Sequence, residues 1–496
     1  MTVKAKDPMR PLCVDLDGTL VTTDTLHENA LKAMLTSPFR ALRAIMSGLL
    51  AAAFGDRSGI KVQLAAIARP DGALLPYRQE VLAMLKTEKA RGRRLVLATG
   101  SDRRIANDVA TALCLFDEVV ATEPEKNMTG KVKAAALVDR FGTKGFDYIG
   151  DSKADVPVWR AAEGIWVAGR RMSQQRLARK GFKDETVNFL LPHEKTSVLK
   201  SWMHALRLYQ WTKNILVFVP VLAAGVWTDT AMLLAGLQAF LIFGLIASGT
   251  YLINDLVDIE SDRHHPRKRT RAFAAGDISL VAGVFAAVAL IGLGGAAAWL
   301  VGPLFFATVA AYLALTLLYS FQLKRVPIVD IFALATLYCL RIVAGAAVTG
   351  LTLSVWLLNF SGFLFLSLGC LKRVGEMSGG DIAAKTRGRG YQASDRTLLG
   401  ALGISIGVSA IIVFGLYVGS PAASEIYARP EWLWGITPVL LLWLTRLWLA
   451  TWRGEVADDP IVTVLRDPVN WFLGSAGLFV FLAAHYGDFF LTVLAI

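Results

Sequence analysis

A succession of apolar segments fills the second half of this chain and limits the folds open to it. Most of these segments reach the roughly 20 residues that a helix needs to cross the hydrocarbon core of a bilayer. The nine stretches lie at about 213–228, 231–253, 279–300, 303–321, 328–349, 354–371, 398–419, 432–450 and 470–494. The pattern predicts an all-α polytopic membrane domain with nine transmembrane helices over residues 213–496.

Composition indicates a second, different domain before the first apolar segment. The 496 residues are 54% hydrophobic with a mean hydropathy of +0.47, which is too apolar for an ordinary soluble protein. The excess begins near residue 205, so residues 1–195 are predicted to form a soluble domain and 196–212 a linker or interfacial helix. The four cysteines are far apart and form no CxxC pair, which argues against a disulfide framework or a zinc site.

The distribution of basic residues predicts the orientation in the membrane. The net charge is +12, and basic residues concentrate at 170–213, 263–271 and 372–396, beside the apolar segments. One set of alternate connections is rich in Lys and Arg, whereas the other carries only Arg429. The positive-inside rule then predicts a multi-pass protein of the inner (cytoplasmic) membrane, with the N-terminal domain in the cytoplasm and the C-terminus outside. The chain contains no recognisable nucleic-acid-binding motif, and its N-terminus lacks an apolar signal core.

An acidic motif follows the second apolar segment. Asp255, Asp258 and Asp262 stand at i, i+3 and i+7, which puts three carboxylates on one face of a helix. They repel each other unless a cation lies between them, and oxygen ligands favour Mg²⁺ completed by substrate phosphates. A basic cluster suited to the remaining phosphate charge comes next: Arg263, Arg267, Lys268, Arg269 and Arg271. The pattern predicts a diphosphate site, and the alternative is a solvated cytoplasmic loop of mixed charge.

Other polar residues stand at the ends of the apolar segments or inside them. Arg341 lies within one segment, where a charge is costly and marks a candidate for function. The alternative is an arginine that pairs with a neighbouring helix or reaches outward to the interface. The remaining candidates are Lys213 and Asn214 at the first segment, Tyr319, Lys324 and Asp330 around a short loop, and Lys372, Arg373 and Glu376 after the sixth segment.

These features resemble the UbiA superfamily of intramembrane prenyltransferases. The resemblance rests on the apolar segments, the N-D-x-x-D-x-x-x-D sequence at 254–262 and the HPRKRTR that ends the basic cluster, and it covers residues 205–496. Within the superfamily, RLYQWTKN at 207–214 and YSFQLK at 319–324 look most like polyprenyl-phosphate (decaprenyl-phosphate) phosphoribosyltransferases. The prenyl-transferring branch typically has a second D-x-x-x-D, whereas this chain reads DIFAL from Asp330. Ala272 also stands where the basic run is commonly closed by Pro.

This resemblance implies transfer of 5-phosphoribose from phosphoribosyl diphosphate to a polyprenyl phosphate. Asp255 and Asp258 are then catalytic and, together with Asp262, hold Mg²⁺ on the leaving diphosphate. The residues implied in binding the two anionic substrates are Lys213, Asn254, Arg267, Lys268, Tyr319, Lys324, Asp330, Arg341 and Lys372.

The N-terminal domain carries four short fragments that go together. VDLDGTL at 14–20 is a strand running into D-x-D-G-T, which suits a nucleophile beside an acid or base. The other three supply Thr99 in RLVLATGS, Lys133 (with Lys131 as a second candidate) in TGKVKAAAL, and Asp151 and Asp155 in FDYIGDSKADVPVW. In order and spacing the fragments resemble the motifs of the haloacid dehalogenase (HAD) superfamily. That implies a Rossmannoid α/β fold, with a parallel sheet, a site at the strands' C-terminal ends and a helical cap at about 24–90.

The HAD resemblance implies hydrolysis of a phosphate ester. Asp15 attacks phosphorus, and Asp17 protonates the leaving oxygen and later activates water. Thr99 and Lys133 hold the phosphoryl oxygens. Mg²⁺ is implied here too, so the expectation is one Mg²⁺ in each domain. Its ligands in this domain are drawn from Asp15, Asp17, Asp151 and Asp155. The alternative is a degenerate domain retained as a cytoplasmic scaffold.

Within the expected cap, residues 30–54 are apolar and basic with helical spacing. This segment is predicted either to line a lipid-accessible entry or to lie at the membrane interface. The alternative is the packed core of a small helical cap.

Together the two halves predict a bifunctional membrane enzyme. Phosphoribosyl transfer leaves a 5′-phosphate on the ribose, and the phosphatase then releases polyprenyl-phosphoryl-ribose. A second interpretation is an aromatic prenyltransferase that uses a prenyl diphosphate, with an independent phosphatase. A third is a non-catalytic transporter or lipid-binding scaffold. The sequence leaves a homo-oligomer open.

Overall fold

The computed structural model describes residues 9–53, 59–124, 126–169, 187–190, 197–377, 390–455 and 467–487. The chain divides into two compact units. One consists of Met1–Leu206 and Leu252–Ala286, and the other of Arg207–Tyr251 and Ala287–Ile496. Parts of the predicted linker and basic loops, at 170–186, 191–196, 378–389 and 456–466, and the C-terminal end at 488–496 lie outside the described residues.

The first unit is built on a six-stranded parallel sheet with the strand order β3-β2-β1-β4-β5-β6. The strands are β1 Leu12–Val14, β2 Leu95–Asp102, β3 Glu118–Thr122, β4 Asp147–Gly150, β5 Ile165–Ala168 and β6 Val187–Leu190. The central strands are almost entirely buried, as expected for a parallel sheet that is covered on both faces. The predicted α/β parallel-sheet domain is thereby confirmed.

Alternate side chains along the strands pack into two separate hydrophobic cores, one on each face of the sheet. Leu12 and Val14 of β1 belong to one cluster of buried residues, whereas Cys13 between them belongs to the other. Neighbouring side chains on a strand point to opposite faces, so each short strand supplies both layers. The helices that cover the sheet are α5 Arg103–Leu113, α6 Gly130–Phe141 and α7 Val156–Ala161.

Four helices connect β1 to β2, within the range predicted for the cap: α1 Thr25–Thr36, α2 Pro38–Ala53, α3 Gly59–Ile67 and α4 Gln79–Ala90. The first three pack together through Ala33, Ala41, Ala44 and Leu64. Small side chains at the contact let these helices approach closely, so the insertion has a small core of its own.

The rest of the described chain is helical. The helices are α8 Val198–Ala205, α9 Val219–Ala223, α10 Thr230–Val257, α11 Ile259–His264, α12 Leu280–Val301, α13 Pro303–Phe321, α14 Val329–Thr349, α15 Val355–Glu376, α16 Asp395–Val418, α17 Pro421–Ser424, α18 Ile436–Trp452 and α19 Pro468–His485. Eight helices of the described chain are long and apolar enough to cross a membrane, by length and composition. They are α10, α12 to α16, α19, and α18 extended back to Pro430.

The expected count of nine spans is not confirmed. The stretch predicted as the first span, 213–228, forms no long α-helix. Instead, a 3₁₀ segment at Leu208–Phe218 leads into the short helix α9. Hydropathy reports how apolar a segment is and does not report its backbone hydrogen bonding, which is why the sequence pattern missed this difference.

Candidate active sites

The loop after β1 begins the first candidate site. Asp15 follows the last residue of β1, and the chain then makes one wide π-type turn over Leu16–Leu20. Gly18 in this turn has φ of +70°, and a Cβ there would overlap the carboxylate of Asp151. Glycine is therefore required both for the backbone conformation and for the close approach of the two loops.

The sheet topology brings these loops together. β1 pairs with β2 on one side and β4 on the other, so the chain reverses its strand order at β1. Loops that leave such neighbouring strands diverge and open a crevice at the carboxyl ends of the strands. Asp15 after β1 and Asp151 after β4 lie at this crevice, as the sequence predicted.

Three carboxylates meet there. Asp15, Asp151 and Asp155 each place a ligand oxygen within 4.8 Å of the others. Burial, with the charges of its neighbours, raises the pKa of Asp15 well above its ordinary value, against the opposing effect of Lys133. Burial and Asp155 raise the pKa of Asp151 to about 6. This crowding of hard oxygen donors fits a divalent cation such as Mg²⁺, which would stabilise the ionised carboxylates.

Lys133 of α6 completes the cluster. Its Nζ lies 3.0 Å from Asp15 Oδ1 and 3.3 Å from Asp155 Oδ1, and it donates a hydrogen bond to the Tyr148 hydroxyl. Burial alone would lower its pKa, but the two carboxylates raise it, so the lysine stays charged. Of the two predicted lysines, Lys133 is buried at the site and Lys131 is exposed.

Asp17 is oriented differently from the other acids. Its carboxylate accepts hydrogen bonds from the Thr25 amide (2.7 Å) and the Ser101 hydroxyl (2.5 Å), and it is not part of the three-carboxylate group. The role of the Asp17 side chain as a metal ligand therefore stays a prediction, since both of its oxygens accept hydrogen bonds from these donors. Burial and Asp24 raise the pKa of Asp17, although both hydrogen bonds oppose this. A carboxyl group with a raised pKa suits proton donation.

Thr99 lies in β2, where it is fully buried and its hydroxyl accepts a hydrogen bond from the Ser101 amide at 3.0 Å. The structure also places a residue here that the sequence motifs did not include. Lys61 of α3 donates to the Gly100 carbonyl (2.5 Å) and approaches Asn127 Oδ1 (3.3 Å). It lines a cavity of about 70 Å³ beside Asp17 and Ser101. Burial lowers the pKa of Lys61.

The second candidate site is the acidic motif at the end of α10. The sequence predicted one helix carrying all three acids through Asp262. This is corrected by the structure, in which α10 ends at Val257 and Asp258 lies at a break before α11. Backbone hydrogen bonds nevertheless continue from the Asp258 amide to Asn254 and from the Asp262 amide to Asp258. The break is therefore small, and Asp255 and Asp262 still face the same way.

Arg271 neutralises this second cluster. One of its nitrogens, Nη1, lies 3.2 Å from Asp255 Oδ1 and 2.7 Å from Asp262 Oδ2. Burial raises the pKa of Asp262 to about 6, against the opposing charge of Arg271. The sequence placed Arg271 among the phosphate-neutralising residues and gave no signal that it binds the carboxylates themselves.

Another member of the basic cluster forms an ion pair with a helix of the parallel-sheet domain. Arg263 forms a bidentate ion pair with Glu28 of α1: Nη2 donates to Oε1 at 2.6 Å and Nη1 to Oε2 at 3.1 Å. Both side chains are buried. Next to it, Lys32 pairs with Glu260 at 2.6 Å. Three further predicted residues lie on this segment: Asn254 is half-buried, Arg267 is exposed, and Lys268 is half-buried.

In the other compact unit, Arg341 and Asn214 come together as neighbours. Arg341 of α14 is buried and donates to Asn214 Oδ1 (3.0 Å), the Tyr312 hydroxyl (2.9 Å) and the Leu337 carbonyl (2.6 Å). All three partners are uncharged. Within the described residues, the buried Nδ2 of Asn214 has no hydrogen-bond partner. Lys213 lies over the ring of Tyr338 at 6.0 Å, a ring that Arg341 also contacts.

The other predicted residues of this unit fall into two groups. Asp330 is fully buried and accepts hydrogen bonds from Arg373 (2.6 Å) and the Tyr391 hydroxyl (2.5 Å). Arg373 also donates to the hydroxyl of Tyr319 at 2.9 Å, so these predicted residues share one network. Since both Asp330 oxygens are engaged, this carboxylate is better suited to holding helices together than to binding an anion. Lys324 and Lys372 are half-buried.

The chain matches two protein families. Residues 12–160 match the haloacid dehalogenase-like hydrolases, and residues 215–461 match the UbiA prenyltransferase family. The uncharacterized protein y4nM of Sinorhizobium fredii is 37% identical over 95% of this chain and 90% of its own length. The nodulation protein NoeC of Azorhizobium caulinodans is 34% identical over 54% of this chain and 87% of its own length.

A third relative is named for its reaction. The decaprenyl-phosphate phosphoribosyltransferase of Mycobacterium tuberculosis is 38% identical over 35% of this chain and 59% of its own length. The membrane part of the chain therefore belongs to the UbiA prenyltransferase family, and it is preceded by a domain of the haloacid dehalogenase-like hydrolases.

Proposed function

We propose that this chain is a bifunctional membrane enzyme that makes a lipid-linked ribose in two steps. The membrane domain transfers 5-phosphoribose from phosphoribosyl diphosphate to a polyprenyl phosphate, and the N-terminal domain removes the 5′-phosphate. The observation that carries the proposal is co-occurrence. One chain combines similarity to decaprenyl-phosphate phosphoribosyltransferases with an assembled phosphatase-type cluster of Asp15, Asp151, Asp155 and Lys133.

In the first step, an oxygen of the lipid phosphate bonds to the anomeric carbon of ribose while the bond to the diphosphate breaks. Asp255, Asp258 and Asp262 are the proposed holders of the donor's diphosphate, with Asn254, Arg267 and Lys268 beside them. Among the described residues, the buried Arg341 has only uncharged hydrogen-bond partners and Nδ2 of the adjacent Asn214 has no acceptor, which favours an anion at this position. Lys213, Tyr319, Lys324 and Lys372 remain proposed substrate contacts, and Asp330 a support for them.

In the second step, a carboxylate oxygen of Asp15 attacks the 5′-phosphorus and the ribose 5′-oxygen leaves. Asp17 gives this oxygen its proton, which its raised pKa favours. Water, deprotonated by Asp17, then hydrolyses the aspartyl phosphate and restores Asp15. Lys133 and Thr99 hold the phosphoryl oxygens, and the lysine's charge is stabilising because charge develops there in the transition state.

One Mg²⁺ in each domain is part of the proposal. In the N-terminal domain Asp15, Asp151 and Asp155 would hold it, and in the membrane domain Asp255, Asp258 and Asp262. Bound there, the ion neutralises phosphate charge and orients the phosphoryl or diphosphate group. Arg271 contributes positive charge to the same cluster.

The membrane arrangement follows from the same proposal. Residues 1–195 form the phosphatase domain with its cap at about 24–90, 196–212 the connection and 213–496 the transferase. The 3₁₀ segment Leu208–Phe218 and α9 together extend about 30 Å at their usual rise per residue, which is the thickness of the hydrocarbon core. We therefore retain nine crossings, with the N-terminal domain in the cytoplasm and the C-terminus outside the inner membrane.

Mass spectrometry of the purified chain given Mg²⁺, a polyprenyl phosphate and phosphoribosyl diphosphate tests the proposal. The wild type should accumulate lipid-phosphoryl-ribose. Asp15→Asn should stop at the 5′-phosphate, and Asp255→Asn should form neither product. Asp139→Asn, an exposed acid of α6, and Asp229→Asn, before the opposite end of α10, are matched controls that should behave as wild type.

Two outcomes would contradict the proposal. Full dephosphorylation by Asp15→Asn would remove the N-terminal domain from the second step. Prenylation of an aromatic acid by the wild type, with no transfer to polyprenyl phosphate, would instead establish a prenyltransferase, which the UbiA family description favours.

A further inference from the structure

The cap helix α2 buries its small apolar residues and exposes its large ones, which is the reverse of what a soluble domain usually shows. Its inner face consists of Ala41, Ala44 and Gly48, all buried. Gly48 packs so closely on Ile60 of α3 that an added Cβ would overlap that side chain. The contact with the rest of the cap is therefore made mainly by the smallest side chains of the helix, with the partly buried Ile45 beside them.

The large apolar side chains of α2 point away from the cap. Phe39 is 89% exposed, and Leu42, Met46, Leu49 and Leu50 are between 52% and 63% exposed. At about 100° per residue, these five positions fall within an arc of roughly 100° on the helix. We call these five residues the apolar face of α2. Next to it on α1, Met34 and Leu35 are exposed as well.

A contiguous apolar surface of this kind is unusual on a soluble domain. Single exposed hydrophobic residues are common and need no explanation, but a continuous patch marks a site that is covered in the working protein. The exposed arginines Arg40 and Arg43 lie along one edge of the patch. Aromatic and aliphatic residues on one face with arginine beside them are typical of helices that lie in a membrane interface.

The neighbouring helix α1 connects the apolar face of α2 to the segment that follows α10. Through Glu28 and Lys32, α1 is bound to Arg263 and Glu260 of α11. Thr22, just before α1, also donates a hydrogen bond to the Ala275 carbonyl at 3.1 Å. Glu260 and Arg263 come directly after α10, and Ala275 lies in the same segment before α12. Both helices are suited to crossing the membrane by length and composition, so these partners belong to the chain at the membrane surface.

We propose that the apolar face of α2 is inserted in the interface of a bilayer that contains anionic lipid. The apolar side chains enter the boundary between head groups and acyl chains, and Arg40 and Arg43 contact lipid phosphates. Arg40 and Arg43 favour anionic lipid over a purely apolar protein partner, because such a partner would offer these two charges no counterion. The consequence for catalysis rests on the proposed function: the cap keeps the phosphatase pocket at the depth of a lipid-linked phosphomonoester.

Photolabelling of the full-length chain tests the membrane contact directly. The protein is placed in nanodiscs of phosphatidylcholine and phosphatidylglycerol that contain a lipid with a diazirine on its acyl chain. After irradiation, mass spectrometry should find adducts on the apolar face of α2 and on the membrane helices, and none on α4 as a control helix of the same domain. Labelling of α2 should fall several-fold in pure phosphatidylcholine and in an Arg40→Gln, Arg43→Gln variant.

Two results of this experiment would overturn the proposal. The first is labelling of the membrane helices with α2 unlabelled. The second is labelling of α2 in nanodiscs that hold one copy of the chain but not in nanodiscs that hold two, which would make the face a dimer contact.

The second measurement is phosphatase activity on a lipid-linked substrate compared with a water-soluble one. Leu42→Glu combined with Met46→Glu should lower kcat/KM about tenfold for the lipid-linked phosphomonoester and leave hydrolysis of p-nitrophenyl phosphate unchanged. Ala83→Glu, at an exposed position of α4, should alter neither. Unchanged turnover of the lipid-linked substrate by the double variant would contradict the proposal. If the wild type fails to act on that substrate, the proposed function is wrong, whereas the labelling still decides whether α2 meets the bilayer.

Discussion

Each of the two acidic clusters of the chain contains one basic side chain, and the two side chains differ in kind. After β1 and β4, the cation is Lys133, which is buried within α6 and hydrogen-bonded to Tyr148. At the end of α10, it is Arg271, which lies after a short 3₁₀ turn and has a side chain that is 29% exposed. The first cation is fixed by packing, and the second is held mainly by the carboxylates themselves.

This difference indicates how each site meets a phosphorylated substrate. The first cluster keeps its lysine and three carboxylates in place, so little rearrangement is needed when a phosphoryl group arrives. In the second, a diphosphate would compete with Asp255 and Asp262 for the guanidinium of Arg271. We therefore expect the first site to be preorganised and the second to adjust on binding.

The strongest test of the preorganised site is Lys133→Met. It removes the charge that faces the transferring phosphoryl group, so phosphatase activity should fall by about 10² to 10³-fold. Lys131→Met, two residues earlier and exposed, is the matched control and should stay within twofold. Hydrolysis of p-nitrophenyl phosphate measures both. Equal losses in the two variants would mean that Lys133 has no special role.

The corresponding test of the adjustable site is Arg271→Gln. Loss of the guanidinium leaves Asp255 and Asp262 facing each other and removes a cation expected to contact the diphosphate, so the proposed phosphoribosyl transfer should fall roughly 10²-fold. Arg269→Gln, exposed in the 3₁₀ turn just before Arg271, should have a much smaller effect. Product formation from phosphoribosyl diphosphate is the measurement, and phosphatase activity should be unchanged in both. Normal transfer by Arg271→Gln would show that this ion pair is only structural.

The sequence predicted the parts of each site that are set by local structure. Asp15 and Asp151 could be placed together because both follow strands of a parallel sheet, and the ends of such strands meet at one edge. Lys133 could be named from its motif, although only burial separates it from Lys131. The motif also gave Asp17 a metal-binding role, whereas its carboxylate turns to Thr25 and Ser101.

Contacts between distant parts of the chain were not predictable in the same way. Glu28 and Arg263 are 235 residues apart, and nothing in either local pattern shows that they pair. Lys61 reaches the pocket from a cap helix without belonging to any motif. The 3₁₀ segment at Leu208–Phe218 was missed for another reason, since apolar composition is the same for either helix type.

A third prediction compares a buried ion pair with an exposed one on the segment that carries the second cluster. Glu28→Gln leaves the buried guanidinium of Arg263 without its carboxylate and should destabilise the first compact unit by about 3 kcal/mol. Glu260→Gln removes the more exposed partner of Lys32 and should cost at most about 1 kcal/mol. Thermal unfolding followed by limited proteolysis in detergent gives the comparison. Equal shifts in the two variants would mean that burial does not distinguish these pairs.

The smallest expected effect concerns Lys61, the cation that the cap adds beside the preorganised cluster. Its Nζ borders the cavity next to Asp17 and lies outside the group of atoms proposed to react. Lys61→Met should therefore raise KM for the lipid-linked phosphomonoester about tenfold, as expected for a lost charge-assisted contact, with kcat nearly unchanged. Lys86→Met, at an exposed position of α4, is the control and should leave both constants as in the wild type. A fall in kcat with KM unchanged would instead place Lys61 in the chemical step, and the first cluster would then depend on two lysines, one from α6 and one from the cap.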